Sequence, residues 1–174
     1  MSLNITITTI LRPYEDSVGV ITSINNIFPD WESDSIITKQ SFPTNRITTE
    51  IKGYSINFEK FILLLRRQKI LDTAFDVMTK NLKINYTFFS ISRQSAMKEV
   101  ISFIVQDAPL GGSMKIELEK ENLEIWLEDQ TWHPGRELIP RQVNDDLAMK
   151  VNGEPVEWFD KFGNPTMAPY SEEE

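Results

Sequence analysis

Apolar residues in this chain switch from alternate positions to helical spacing and back, and that change of period limits the fold more than any other feature. From Asn4 to Ile10, Leu3, Ile5 and Ile7 fall on one side and Asn4, Thr6 and Thr8 on the other, with β-branched residues in the majority. This pattern predicts a half-buried strand. After Pro13, Glu15 and Asp16 stand where carboxylates cap a helix, and Val20, Ile21, Ile24, Ile27 and Phe28 recur along one helical face until Pro29-Asp30 stops it.

Thr- and Ile-rich runs at Ser35–Gln40 and Arg46–Lys52 flank Phe42-Pro43-Thr44-Asn45 and read as a pair of antiparallel strands. The period then changes. Phe58, Phe61, Ile62 and Leu65 form one helical stripe and Leu71, Phe75, Met78 and Leu82 a second, so two helices or one kinked helix are expected from Phe58 to Leu82. Strand patterns return at Ile84–Ile91 and Val100–Val105, separated by the polar stretch Ser92–Glu99. Asp107-Ala108-Pro109-Leu110-Gly111-Gly112 reads as a loop. Met114, Ile116 and Leu118 alternate with charged residues, and Asn122 stands where it can cap a short helix through Leu123, Trp126 and Leu127. Strand, helix, two strands, two helices, three strands, helix is an α+β order, a mainly antiparallel sheet with helices packed on one face.

A chain of 174 residues suffices for one core domain, placed at residues 1–130, with an extension at 131–174. The extension holds five of the nine prolines, at 134, 140, 155, 165 and 169, which is why it is expected to be loop-rich. Asn152-Gly153 signals a short hairpin, and Ser171–Glu174 reads as a disordered acidic tail. With no cysteine, disulfides, thiolate metal sites and cysteine nucleophiles are excluded, and the fold must rest on packing. No cationic leader opens the chain, and no run approaches the roughly 20 apolar residues of a membrane span, so a soluble cytoplasmic protein with no membrane partner is expected.

Net charge is -8, but its distribution is uneven. Between Phe58 and Glu99, eight basic residues face four acidic ones, a balance of +4; the remaining ten basic and twenty-two acidic groups leave -12 elsewhere. An anionic partner is drawn to that one segment and repelled by the rest.

Several blocks carry a family likeness: Ile27-Phe28-Pro29-Asp30, Gln68-Lys69-Ile70-Leu71-Asp72-Thr73-Ala74, Asn85-Tyr86-Thr87, Arg93-Gln94-Ser95-Ala96, Pro109-Leu110-Gly111-Gly112 and Leu123–Leu127. In this order and spacing they resemble an archaeal family of uncharacterised proteins for which RNA binding is expected. That family's fold is similar to the large-subunit ribosomal protein that binds 5S ribosomal RNA. The resemblance spans roughly residues 4 to 130 and implies the same fold and an RNA role here. It departs after Gln94-Ser95-Ala96-Met97, where Lys98-Glu99 replaces an expected Gly, and in the acidity of the C-terminal end.

Arg66, Arg67 and Lys69 crowd the junction of the two helical stripes, where they can bind phosphate or satisfy helix carbonyls. Arg93 and Lys98, with Gln94 and Ser95, offer donors to phosphate or base edges, or form a solvated connection. Asp72 reads as a cap or a partner for a neighbouring Arg, and Tyr86, Phe88 and Phe89 as core residues or a base-stacking platform. A lone His133 has no second ligand for zinc, Asp145-Asp146 lacks calcium-loop spacing, and no Gly-rich phosphate loop is present, so no cofactor, metal or nucleotide is expected. The leading reading is a non-enzymatic module binding structured RNA through Arg66, Arg67, Lys69, Arg93 and Lys98. The alternative is a protein-interaction module, such as a homodimer pairing its basic segment with the acidic region of a second copy. An enzyme is the third reading, lacking a nucleophile with its base or a carboxylate dyad.

Overall fold

The computed structural model describes residues 2–107 and 109–138. The hairpin at Asn152-Gly153, Asp145-Asp146 and the acidic tail at Ser171–Glu174 lie outside the described residues. A six-stranded antiparallel sheet in the order β2-β3-β1-β6-β4-β5 gives the expected α+β class.

β1 (Asn4–Leu11) buries Ile5, Ile7, Thr9 and Leu11 on the helix-covered face. α1 (Ser17–Ile27) is capped by Asp16, whose carboxylate accepts from the N–H groups of Val18 (3.3 Å) and Gly19 (3.2 Å). Its buried residues Val20, Ile24 and Ile27 lie along the stripe that the sequence predicts.

Ser35–Gln40 forms no strand, although its composition favours one. Ile37 packs against the core but Ile36 is 94% exposed, so the run has no alternating face to bury and β propensity alone does not hold it in the sheet. The edge strand is instead β2 (Glu32–Ser33), paired to Tyr54 and Gly53 of β3 (Thr49–Ser55). Trp31 explains the position: a Cβ built on Gly53 would lie 2.6 Å from its ring, so only glycine lets β3 pass beneath the indole. β3 begins later than the expected Arg46–Lys52 because Ile51, Gly53 and Ser55 supply its inward face.

α2 (Glu59–Gln68) and α3 (Leu71–Thr79) are separate helices, divided at Lys69, which takes the left-handed conformation (φ 59°, ψ 39°). β4 (Tyr86–Ser92) is followed by a single helical turn, α4 (Arg93–Ala96), where the sequence suggests only a polar connection. β5 shrinks to Phe103–Ile104, β6 covers Ser113–Glu119 and α5 covers Leu123–Gln130. Asn122 precedes α5 at φ 54° without capping it through its side chain; its own N–H donates to Asn85 Oδ1 (3.2 Å).

Phe28, Phe58, Phe61, Phe89, Phe103 and Trp126 form a chain of ring contacts through the core, with centroids 4.5 Å apart for Phe58 and Phe61 and 5.7 Å for Phe61 and Phe89. Phe61, fully buried, is its hub. The opposite sheet face stays open: Lys52 and Tyr54 are exposed, and Thr6, Thr8, Tyr86, Phe88, Lys115 and Glu117 are half-buried.

Candidate nucleic-acid interface at the end of helix α2

The last turn of α2 closes with two backbone bonds, Lys69 N–H to Arg66 O (3.2 Å) and Ile70 N–H to Leu65 O (3.2 Å). This is the usual glycine-terminated helix ending, but the left-handed residue is a lysine, at a cost of about 1 kcal/mol relative to glycine. The chain thus sacrifices local stability and presents an exposed ammonium group where α2 turns into α3.

Arg66 is exposed, and its guanidinium donates to the carbonyls of Trp132 (3.2 Å) and Gln130 (3.3 Å). It therefore satisfies the C-terminal end of α5, not that of its own helix, and is fixed in orientation while retaining further donors. Arg67 is also exposed, and its charge acts on Glu99. Gln68 brackets the backbone of Ile101, accepting from its N–H (2.8 Å) and donating to its carbonyl (2.9 Å), so α2 lies against the segment after α4. There Glu99 pairs with Lys60 at 2.7 Å. The Lys60 hydrogen bond and charge, with a longer-range contribution from Arg67, hold the Glu99 carboxyl below its usual range. Glu99 itself adopts φ 54°, a left-handed conformation that favours glycine, within the Lys98-Glu99 pair where the family likeness leads one to expect a Gly. Lys98, beside it, is exposed.

Arg93 does not belong to this surface. It is only 4% exposed; its guanidinium donates to Ile10 O (3.0 Å) and forms an ion pair with Glu15. A Cβ at Gly112, which has φ 79°, would come within 2.0 Å of that guanidinium, and one at Gly111 within 2.8 Å of the Gln94 Cβ. The Arg93-Gln94 block and the Pro109–Gly112 turn are thus two halves of one packing arrangement. Burial next to a carboxylate makes Arg93 a tie between β1, α1 and the turn, not a phosphate ligand. Arg66, Arg67, Lys69 and Lys98 remain, and none has an ion-pair partner among the described residues.

A buried arginine that charge counting in the basic segment overlooks, Arg136, ties the residues after α5 to α3. Its Nε and one Nη donate to Asp72 Oδ1 (3.1 and 2.8 Å), the other Nη donates to Thr131 Oγ1 (2.9 Å), and the guanidinium lies 4.9 Å from the Phe75 ring centre. His133 Nε2 approaches the same Asp72 oxygen at 2.9 Å. Burial pushes the Asp72 carboxyl up, but the hydrogen bonds and charges of Arg136 and His133 outweigh it and hold the group below its ordinary value of 3.8. Asp72 is therefore an arginine partner, but its arginine is Arg136, 64 positions on, and not the neighbour that the sequence suggests. Between α2, α3 and His133 lies a depression of about 300 Å³ whose wall includes Arg66, Lys69, Asp72 and Thr73.

Phe89 enters the core, while Tyr86 and Phe88 lie on the open sheet face with ring centres 6.3 Å apart. Lys115 covers the Phe88 ring at 4.9 Å, and Tyr86 donates to Glu117 at 2.5 Å. Burial and the adjacent Glu117 push the Tyr86 hydroxyl up to about 12. Among the described residues no three His, Asp or Glu side chains converge as a metal-binding set, and no helix is long and apolar enough to cross a membrane.

No family model matches the chain. It is 30% identical over 126 residues to the UPF0201 protein of Sulfurisphaera tokodaii, covering 70% of this chain and 83% of that one. It is 31% identical over 128 residues to a UPF0201 protein of Saccharolobus islandicus, covering 71% and 85%. The solved structure of the UPF0201 protein from Methanococcus jannaschii is similar with a TM-score of 0.64 at 26% identity, over 74% of this chain and 99% of that chain. With such identity across most of the length of these relatives, the chain belongs to the archaeal UPF0201 family.

Proposed function

We propose that this protein is a cytoplasmic, non-enzymatic module that binds structured RNA through the cationic end of α2. One observation carries the reading: in a chain of net charge -8, Arg66, Arg67, Lys69 and Lys98 are exposed, and none is in an ion pair among the described residues, although the Arg67 charge acts on Glu99 at longer range. Guanidinium groups favour bidentate phosphate contacts, and ammonium groups act as point charges. The sequence likeness to a fold associated with ribosomal RNA adds support by analogy. The test is a salt series with structured RNA. Binding should weaken with salt, and the triple variant Arg66→Glu, Arg67→Glu, Lys69→Glu should flatten the log-log slope by roughly 0.7 to 0.9 for each phosphate that is no longer neutralised. Unchanged binding by a folded triple variant refutes it.

The open sheet face favours a second reading, self-association. Tyr54, Tyr86 and Phe88 lie there among Lys52, Lys115 and Glu117, a mixture of charges that a second copy can complement. The sheet edges favour it less, since β2 and β5 are only two residues long. Light scattering of the full-length protein and a Phe88→Glu variant decides: a monomer at all concentrations rules this reading out.

A further inference from the structure

We infer that the depression between α2, α3 and His133 receives the terminal phosphate monoester of an RNA strand. The inference rests on the RNA reading above and assigns a ligand group to one part of that surface. At about 300 Å³ the depression lies at the lower limit of small-ligand sites, enough for a chain end and the group attached to it. It is walled by the end of α2, the start of α3 and His133, with Arg66 and Lys69 both at its lining, so two cations face one bound group.

Its charge suits a monoester. Arg66 is held by two backbone carbonyls, so its remaining donors bind without first being ordered. Lys69 stands at the same wall in a backbone conformation that glycine would adopt at lower cost. The one carboxylate there, Asp72, is engaged by Arg136 and His133, so its charge is largely compensated. The Thr73 hydroxyl adds a neutral donor. A terminal monoester carries about -1.5 to -2 near neutral pH, against -1 for an internal diester, and therefore gains more from two cations at one point.

The test compares otherwise identical RNA oligonucleotides bearing a 5′-phosphate, a 3′-phosphate or hydroxyls at both ends, with inorganic phosphate as competitor. One phosphorylated end should bind about tenfold tighter than the hydroxyl form, and whichever end it is gives the strand polarity. Inorganic phosphate should abolish that preference. Two variants locate the site and keep the fold: Lys69→Gly relieves the left-handed backbone, and Thr73→Glu places a carboxylate in the first turn of α3, where the helix dipole favours it. Both should reduce the preference to within about twofold. Equal affinity for all three ends, with salt-dependent binding intact, overturns the inference and leaves the RNA reading standing. A preference that survives both variants overturns the location. Failure of wild type to bind any of these RNAs, structured RNA included, removes both.

Discussion

Replacing Lys69 by glycine should make the protein more stable and a weaker RNA ligand at once. Lys69 adopts φ 59° and ψ 39°, where an L residue with a Cβ is disfavoured by about 1 to 2 kcal/mol. Glycine removes that strain but has more freedom to lose on folding, which returns about 0.4 to 1 kcal/mol. The side chain is exposed and makes no ion pair among the described residues, so little packing is given up. The balance is a gain of about 1 kcal/mol, or a Tm rise of about 2 to 4 °C for a chain of this size. Thermal unfolding followed by circular dichroism reads the first effect and the salt slope of RNA binding the second, with an expected decrease of about 0.7 to 0.9. Lys69→Ala is the control, because it removes the charge and keeps the strain, and its Tm should stay near wild type. If Lys69→Gly lowers Tm or leaves it unchanged, the left-handed lysine carries no stability penalty and its placement says nothing about selection for charge.

Arg93→Met should cost about 3 kcal/mol, measured by urea unfolding, because Glu15 is then left without its ion-pair partner in a largely buried setting; a loss below about 1 kcal/mol contradicts the role assigned to Arg93. Asp72 has a depressed folded pKa, so its stabilising contribution is complete above its unfolded value of 3.8 and disappears as pH falls through the lower folded value. Asp72→Asn should therefore be less stable than wild type at neutral pH, and the difference should narrow in acid, as read by Tm against pH. Tyr86 has the opposite sign: with its pKa raised from 10.0 to about 12, it contributes stability below pH 10 that is lost as pH rises to 12. Ultraviolet titration should show a late-ionising tyrosine component that Tyr86→Phe removes.

The sequence periods were sufficient for the sheet class and for most helices because burial on one face enforces them. β1, β6, α1 and the stripes of α2 and α3 bury residues such as Ile5, Ile116, Ile24, Phe61 and Phe75 at the expected spacing. Ser35–Gln40 forms no strand because β-branched residues favour a sheet only where neighbours cover and pair with them, and in this run Ile37 alone packs on the core. Arg93 misled for a related reason. A charged residue in a polar stretch reads as solvated, and its neutralising partner, Glu15, lies 78 positions earlier. Arg136 and Asp72 meet across 64 positions, a pairing that no local pattern encodes. Arg66, Arg67, Lys69 and Lys98 were visible as charges, but the left-handed backbone of Lys69 and the anchoring of Arg66 to α5 come only from the folded chain.

The amide of Gln68 has a consequence for how firmly α2 is held. By occupying both the N–H and the carbonyl of Ile101, a residue only 2% exposed, one side chain supplies the partners that solvent cannot reach to supply. Gln68→Leu keeps the bulk and leaves that dipole pair buried and unmatched. Its signature is a drop of about 1 to 3 kcal/mol in unfolding free energy with the cationic residues still in place.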